Sequence, residues 1–316
     1  MPVLLLLVAA FMTTLSAADP VTALQGVRRI AVFGDSITQD GNWVADVECA
    51  LLARGLTIEV LGLGLGSETA SDLTEAENAG HAKAFGFPRP PVSERLDRAL
   101  AAVKPDLVIA CYGMNDGSSL PTDEVGTKRY AEAITRLREH ALQAGAKRVV
   151  LCSPPVKEAK AEAWATNKHD QNLTRYATWL VGQRSQGWEV VDIHTPMRAA
   201  LDQRRQQNPA FQFAKDSVHP AREGHWVMAQ AVLDQWLHLP VAQVPNAEAL
   251  FPAKGAEIRA LVRERQALRY AAWMTAIGHK RPGVPGGPKA KPGLPLDQAE
   301  AKAAELTAKI SALLAR

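Results

Sequence analysis

The chain has 316 residues, 47% of them hydrophobic, and a formal net charge of +3. That length is ample for a large apolar core, and the three cysteines, Cys49, Cys111 and Cys152, cannot all pair, so a disulfide framework is not what holds the fold. Basic residues occur at most in adjacent pairs, such as Arg28-Arg29 and Lys280-Arg281, and no dense basic run is present, which argues against nucleic acid as a partner.

Residues 2–15 are apolar without an acid or a base, and the small residues Ser16-Ala17-Ala18 follow. The pattern predicts a secretory signal over 1–18 and a mature protein that is secreted or periplasmic. The run is shorter than the roughly 20 apolar residues of a membrane span, so no stable span is expected after cleavage. A basic n-region is missing, which leaves an uncleaved anchor as the alternative. No cysteine follows the run, so a lipoprotein anchor has no support.

From Arg28 onward short β-rich runs alternate with longer helical patterns. Strands are expected over 30–33, 57–63, 107–112, 149–152 and 190–193, and helices over 43–54, 92–103, 122–144, 167–185 and 222–237, with Gly145 as the stop of the third helix. The strand runs are continuously apolar instead of alternating. Both faces of such strands are buried, as in a parallel sheet covered by helices on each side. The fold class is therefore α/β: a three-layer α/β/α domain with a five-stranded parallel sheet, spanning 24–239.

After Leu239 the texture changes. A C-terminal helical extension over 240–316 begins with apolar residues at helical spacing over 256–277, then passes through a Pro/Gly-rich stretch, 281–295, that reads as a linker or an extended wrap. Leu296, Ala299, Ala303, Leu306, Ile310 and Leu313 then repeat at steps of three and four, a helix seam seeking a partner. That partner is the preceding helix or the core. A homodimer through these C-terminal helices is the sharper alternative.

Four blocks carry chemistry. Ser36 lies in Phe33-Gly34-Asp35-Ser36-Ile37-Thr38 directly after the first strand, Gly64 closes the second, and Gly113-Met114-Asn115-Asp116 follows the third. Ligands of parallel sheets bind beyond the carboxyl ends of the strands, so these three blocks fall on one rim. The fourth, Asp216-Ser217-Val218-His219-Pro220, follows the last strand. A serine hydroxyl needs a base, and the base a third group that fixes its tautomer. His219 and Asp216 suit these roles, since three residues on a loop let the carboxylate meet Nδ1 and leave Nε2 for Ser36, and Pro220 disfavours the α region at His219. Taken alone, Asp216 could cap a helix and His219 sit on the surface; the set of blocks is what argues for a site.

In type and order the blocks resemble the SGNH hydrolase superfamily, the GDSL-type esterases and lipases. The resemblance covers about 28–239, and implies the flavodoxin-like SGNH fold, with Ser36 as nucleophile, Asp216 and His219 as carboxylate and base, and the backbone N–H groups of Ser36 and Gly64 with the Asn115 amide as the oxyanion hole. Asp35 and Asp116 are assigned supporting roles, bracing loops by accepting backbone hydrogen bonds. Glycine is expected at position 64 so that backbone can approach the substrate. Where many relatives carry Asn two residues earlier, this chain has Gly62.

Other chemistries fare worse. The run Gly62-Leu63-Gly64-Leu65-Gly66 fails as a dinucleotide loop because Ser67 stands where the motif needs glycine. No P-loop, His-Glu-x-x-His or paired Cys-x-x-Cys is present, so neither cofactor nor metal is expected, and His225 is read as solvent-facing or helix-packing. Trp43, Trp164 and Trp226 are core packing or, alternatively, sugar-stacking surfaces. The function expected is an exported serine esterase that removes short acyl groups, acetyl above all, from a carbohydrate or small-molecule ester through an acyl-Ser36 intermediate. A lysophospholipase or thioesterase is the alternative within the class; a non-catalytic carbohydrate-binding or assembly protein is the alternative outside it.

Overall fold

The computed structural model describes residues 22–159 and 166–315; the expected signal segment and Trp164 lie outside them. In chain order the elements are β1 (Arg29–Gly34), α1 (Ser36–Asp40), α2 (Asn42–Ala53), β2 (Glu59–Gly64), α3 (Glu75–Phe85), α4 (Leu96–Val103), β3 (Leu107–Cys111), α5 (Met114–Ser119), α6 (Glu124–Gln143) and β4 (Arg148–Cys152). They continue with α7 (Lys168–Gly182), β5 (Glu189–Val191), α8 (His194–Gln207), α9 (Arg222–Gln235), α10 (Gly255–Ile277) and α11 (Leu296–Leu314).

All five strands are parallel, in the order β2-β1-β3-β4-β5. Ile30, Ala31, Val32 and Phe33 of β1 and the whole of β3 are buried, which is why their sequences run apolar without alternation. The chain leaves β1 for β2 on one side and returns to β3 on the other. Strand order thus reverses between β1 and β3, the place where such sheets hold ligands. Gly34 is in register with Gly64 on one side and Cys111 on the other, so the carboxyl ends of β2, β1 and β3 are level.

The five expected strands are present, each shifted by at most two residues at an end. The expected helix 92–103 opens instead with a 3-10 turn, Val92–Glu94, before α4. Helices α3 and α8 escaped the apolar pattern because they bury few side chains: Asn78 and His81 in the first, His194, Met197 and Leu201 in the second. A signal for α3 was nonetheless in the sequence, as Thr74 and Glu77 form a capping box.

The C-terminal extension is built into the sheet. Gln266 of α10 donates through Nε2 to the Val60 carbonyl at 2.9 Å and accepts at Oε1 from the Gly62 amide at 3.4 Å, so it covers the outer edge of β2. Buried ion pairs join the same helix to α2: Arg259 Nε to Asp46 Oδ1 at 2.6 Å and Arg265 Nη2 to Glu48 Oε1 at 2.9 Å. The stretch after α10 is a wrap, tied by Gly293 N to Thr275 Oγ1 at 2.8 Å and Gly283 N to Pro288 O at 2.9 Å. The seam of α11 is used within the chain, where Ala299, Ala303, Leu306 and Ile310 are buried and Thr307 accepts from Arg265 at 2.6 Å. Among the described residues no helix is long and apolar enough to cross a membrane.

Candidate active site

Ser36 opens α1, and Asp35 before it caps that helix by accepting the Ile37 N–H at 2.9 Å. Burial pushes the Asp35 carboxyl up to about 7, against the pull of that hydrogen bond. Helix α1 lies so close to the strand ends that both flanking glycines are forced by space. A Cβ on Gly34 would stand 2.1 Å from Thr38 Oγ1, and one on Gly64 would stand 2.2 Å from the Gln39 amide nitrogen. Glycine at 64 therefore makes room for the α1 backbone, a packing reason beyond the expected one.

The loop before α9 brings the fourth block to Ser36. Ser36 Oγ lies 2.7 Å from His219 Nε2, and His219 Nδ1 lies 2.6 Å from Asp216 Oδ2. The other carboxylate oxygen accepts the amides of Val218 at 3.0 Å and His219 at 2.8 Å, the chain turning at Ser217, φ 67°, directly after Asp216. Burial would raise the Asp216 carboxyl, but the His219 ring and these two amides outweigh it and hold it down at about 2. The carboxylate is thus a lasting anion that fixes the ring with Nδ1 as its N–H and Nε2 free to take a proton. The His219 and Asp216 side chains are 50% and 56% exposed, so the dyad stands on an open rim.

Asn115, on the first turn of α5, is buried and doubly held. Its Nδ2 donates to the Glu68 carbonyl at 2.9 Å and its Oδ1 accepts from Arg89 Nη1 at 2.5 Å. Asp116 beside it is fully buried and accepts the amides of Ala70 at 3.2 Å and Ser71 at 2.8 Å. Gly64 sits differently from the expectation. Along β2 the amides of Glu59 and Leu65 point to β1, whereas that of Gly62 points to Gln266 on the outer edge. Gly64 has the parity of Gly62, so its N–H faces away from the strand that carries Ser36. The loop that meets Asn115 comes later, at Ser67 and Glu68, with Ser67 at φ 68°.

That loop is fixed from beneath. Arg95 Nε and Nη2 each lie 2.7 Å from a Glu68 carboxylate oxygen, Tyr112 donates to the same carboxylate at 2.5 Å, and Arg95 reaches the Leu63 carbonyl at 2.6 Å. Sequence reasoning missed Glu68, Arg89 and Arg95, which carry no motif and acquire their roles only through contacts distant in sequence. Trp43 is fully buried and presents no face for a sugar, and Trp226 is buried at the wall of a cavity away from Ser36. His225 is buried against Asp40 at 3.3 Å, so it packs a helix and does not face solvent. The three cysteines are free and buried. The cavity of about 440 Å³ between α8 and α9, lined by Phe213, Trp226 and Val244, does not open on Ser36.

Residues 32–227, which hold every member of the four blocks, match the model of the GDSL-like lipase/acylhydrolase family. The chain belongs to that family. It is accordingly an ester-hydrolysing enzyme, and α10, α11 and the wrap between them lie outside the family match. No curated protein matches the chain. Among solved structures, a gut microbial diltiazem-metabolizing enzyme is similar at 19% identity and a TM-score of 0.50, over 66% of this chain. This chain spans less than half of that protein, 46% of its length. Axe2, an acetylxylan esterase from Geobacillus stearothermophilus, is similar at 22% identity and a TM-score of 0.47, over 66% of this chain and 93% of its own. An Axe2 tryptophan variant, described as an acetyl-xylooligosaccharide esterase, gives 21% identity and a TM-score of 0.49 over the same shares.

Proposed function

We propose that the chain hydrolyses carboxylic esters by acyl transfer to Ser36, with short acyl groups, acetyl above all, on a carbohydrate as its natural class. The observation that carries this reading is the unbroken relay of Ser36 Oγ, His219 and Asp216, at 2.7 and 2.6 Å. As Oγ attacks the ester carbon, its proton passes to His219 Nε2, and the imidazolium is stabilised by the Asp216 carboxylate. The tetrahedral oxyanion collapses, the carbon–oxygen bond to the alcohol breaks, and the alcohol takes the proton back from His219. Water then repeats the sequence on the acyl-Ser36, releasing the acid and the free serine.

The oxyanion is received by the second N–H of Asn115, whose first is spent on Glu68, and by backbone amides. The orientation of β2 favours the amide of Ser67, beside Asn115, over that of Gly64 for this task, with the Ser36 amide as the other backbone donor. Asp35 and Asp116 act as braces. The half-exposed His219 and Asp216 favour a bulky alcohol such as a sugar chain over a long acyl chain that needs an enclosed channel. Export, read from residues 1–18, suits such extracellular esters.

The test compares 4-nitrophenyl acetate with the palmitate ester, and follows acetate release from acetylated polysaccharides, for the wild type and Ser36→Ala. Acetyl preference lost in Ser36→Ala supports the proposal. Preference for palmitate would favour the lysophospholipase or thioesterase reading, and hydrolysis that survives Ser36→Ala would move the nucleophile elsewhere.

A further inference from the structure

Three cations stand along the rim that carries Ser36, and each is spent on neutral oxygen. Arg281, from the wrap after α10, lies across the end of β2, its Nε and Nη2 3.6 Å from where a Cβ of Gly66 would stand and its guanidinium carbon 4.9 Å from the centre of the Phe87 ring. Arg89 lies at the end of β3, holding Asn115 Oδ1 at 2.5 Å and Ser118 Oγ at 3.1 Å. Lys157, five residues beyond β4, reaches the Ser217 hydroxyl beside Asp216. Arg281 thus stands just beyond β2, Arg89 beside the Asn115 turn that follows β3, and Lys157 beside the turn that holds Asp216 and His219.

Many other arginines are matched to carboxylates, as Arg95 is to Glu68, Arg148 to Glu189 and Arg259 to Asp46, although Arg184 and Arg263, away from this rim, also donate to neutral oxygens. Among the described residues Arg89, Arg281 and Lys157 make no ion pair within 4.0 Å. Arg89 and Arg281 each also keep a buried Nε without an acceptor. The acids near by offset them only in part. Asp216, an anion beside a neutral imidazole, stands opposite Lys157, whereas Glu68 is committed to Arg95, and Asp35 and Asp116 are buried on backbone amides, where burial raises both carboxyls; Arg89 and Arg281 are left as the less compensated pair. The rim therefore presents a positive field at the place where an ester must lie, and focused fields of this kind select the charge of the substrate.

We infer that the ester taken by this enzyme carries an anionic group, a carboxylate or a phosphate, on its alcohol part close to the bond that is cut. The inference rests on the acyl-transfer reading above and narrows its substrate class to esters of acidic sugars. Arg281 comes from outside the family match, so the wrap gives this chain a specificity element of its own.

The experiment measures kcat/KM of the full chain at low ionic strength on an acetylated oligogalacturonate, an acetylated hexose phosphate and an acetylated xylo-oligosaccharide. An anionic ester should exceed the neutral one by about tenfold or more, and added salt should erode that advantage. Arg281→Gln and Lys157→Gln should each lower the anionic-to-neutral ratio several-fold, while Arg281→Lys retains most of it. The uronate and phosphate arms tell which anion is meant. A ratio near one, or a ratio indifferent to salt and to both glutamine variants, with hydrolysis still dependent on Ser36, would overturn the inference and leave the esterase reading intact. Failure to cleave any of the esters, 4-nitrophenyl acetate included, would remove that reading and this inference with it.

Discussion

Arg95 and Glu68 form a two-pronged ion pair with no solvent exposure on either side chain, both contacts at 2.7 Å. Glu68 also offers its carbonyl to Asn115, so the pair holds the loop on which the candidate oxyanion donors rest. Removing one partner leaves a buried charge without compensation. Arg95→Leu is expected to cost about 3–5 kcal/mol of unfolding free energy, read from denaturant midpoints. The double variant Arg95→Leu with Glu68→Leu should recover part of that loss, and equal losses in the single and double variants would contradict the account.

Asn115→Ala should keep the fold and lower kcat by about 100- to 1000-fold, with a smaller change in KM, because its amide acts on charge that develops in the transition state. Thermal unfolding checks the fold. A variant with unaltered kcat would place the donor elsewhere.

Gly64→Ala should act on stability first. The added carbon meets the Gln39 amide nitrogen at 2.2 Å, and backbone cannot swing aside as a long side chain would. A loss of about 1–3 kcal/mol is expected, accompanied by lower activity because α1 carries Ser36. Unchanged melting would show that the helix and strand end are further apart than described.

Asp35 gives a pH signature. Its carboxyl is raised from 3.8 to about 7 in the folded protein, so the native state binds this proton more tightly than the unfolded chain. The resulting stability is fully present below pH 4 and is lost as pH rises through about 7. Asp35→Asn keeps an acceptor for the Ile37 amide and should flatten that part of the stability profile, by up to about 1.4 kcal/mol per pH unit. Parallel profiles for the two proteins would refute the assignment.

Truncation after Leu239 removes Gln266 and bares the outer edge of β2, together with Asp46 and Glu48. The fragment should be insoluble or self-associating, since an open edge strand pairs with other chains. A soluble, monomeric and active fragment would show the tail to be dispensable.

The sheet was legible in the sequence because buried parallel strands must be apolar on both faces, as 30–33 and 107–111 are. That Ser36, Asp216 and His219 would meet was legible because an acyl-transfer site demands particular residue types at strand ends and tight spacings. What escaped had no local cause. Arg89 is one residue in a proline-rich loop until folding sets it on Asn115, and Gln266 is one position of a helix until it meets β2. The Gly62 amide is served by that same helix, but nothing in the structure explains glycine at this position. Gly64 was singled out from the residues and the resemblance, but its packing role could not be read without the neighbouring helix.

Asp216 and His219 share one turn, braced by Asp216 taking the amides of Val218 and His219, whereas Ser36 is anchored on the sheet through β1 and α1. Imidazole and carboxylate are therefore positioned as one unit, independently of the hydroxyl. A displacement of that turn would take both groups from the hydroxyl together, and a substitution that loosens it is felt by imidazole and carboxylate alike.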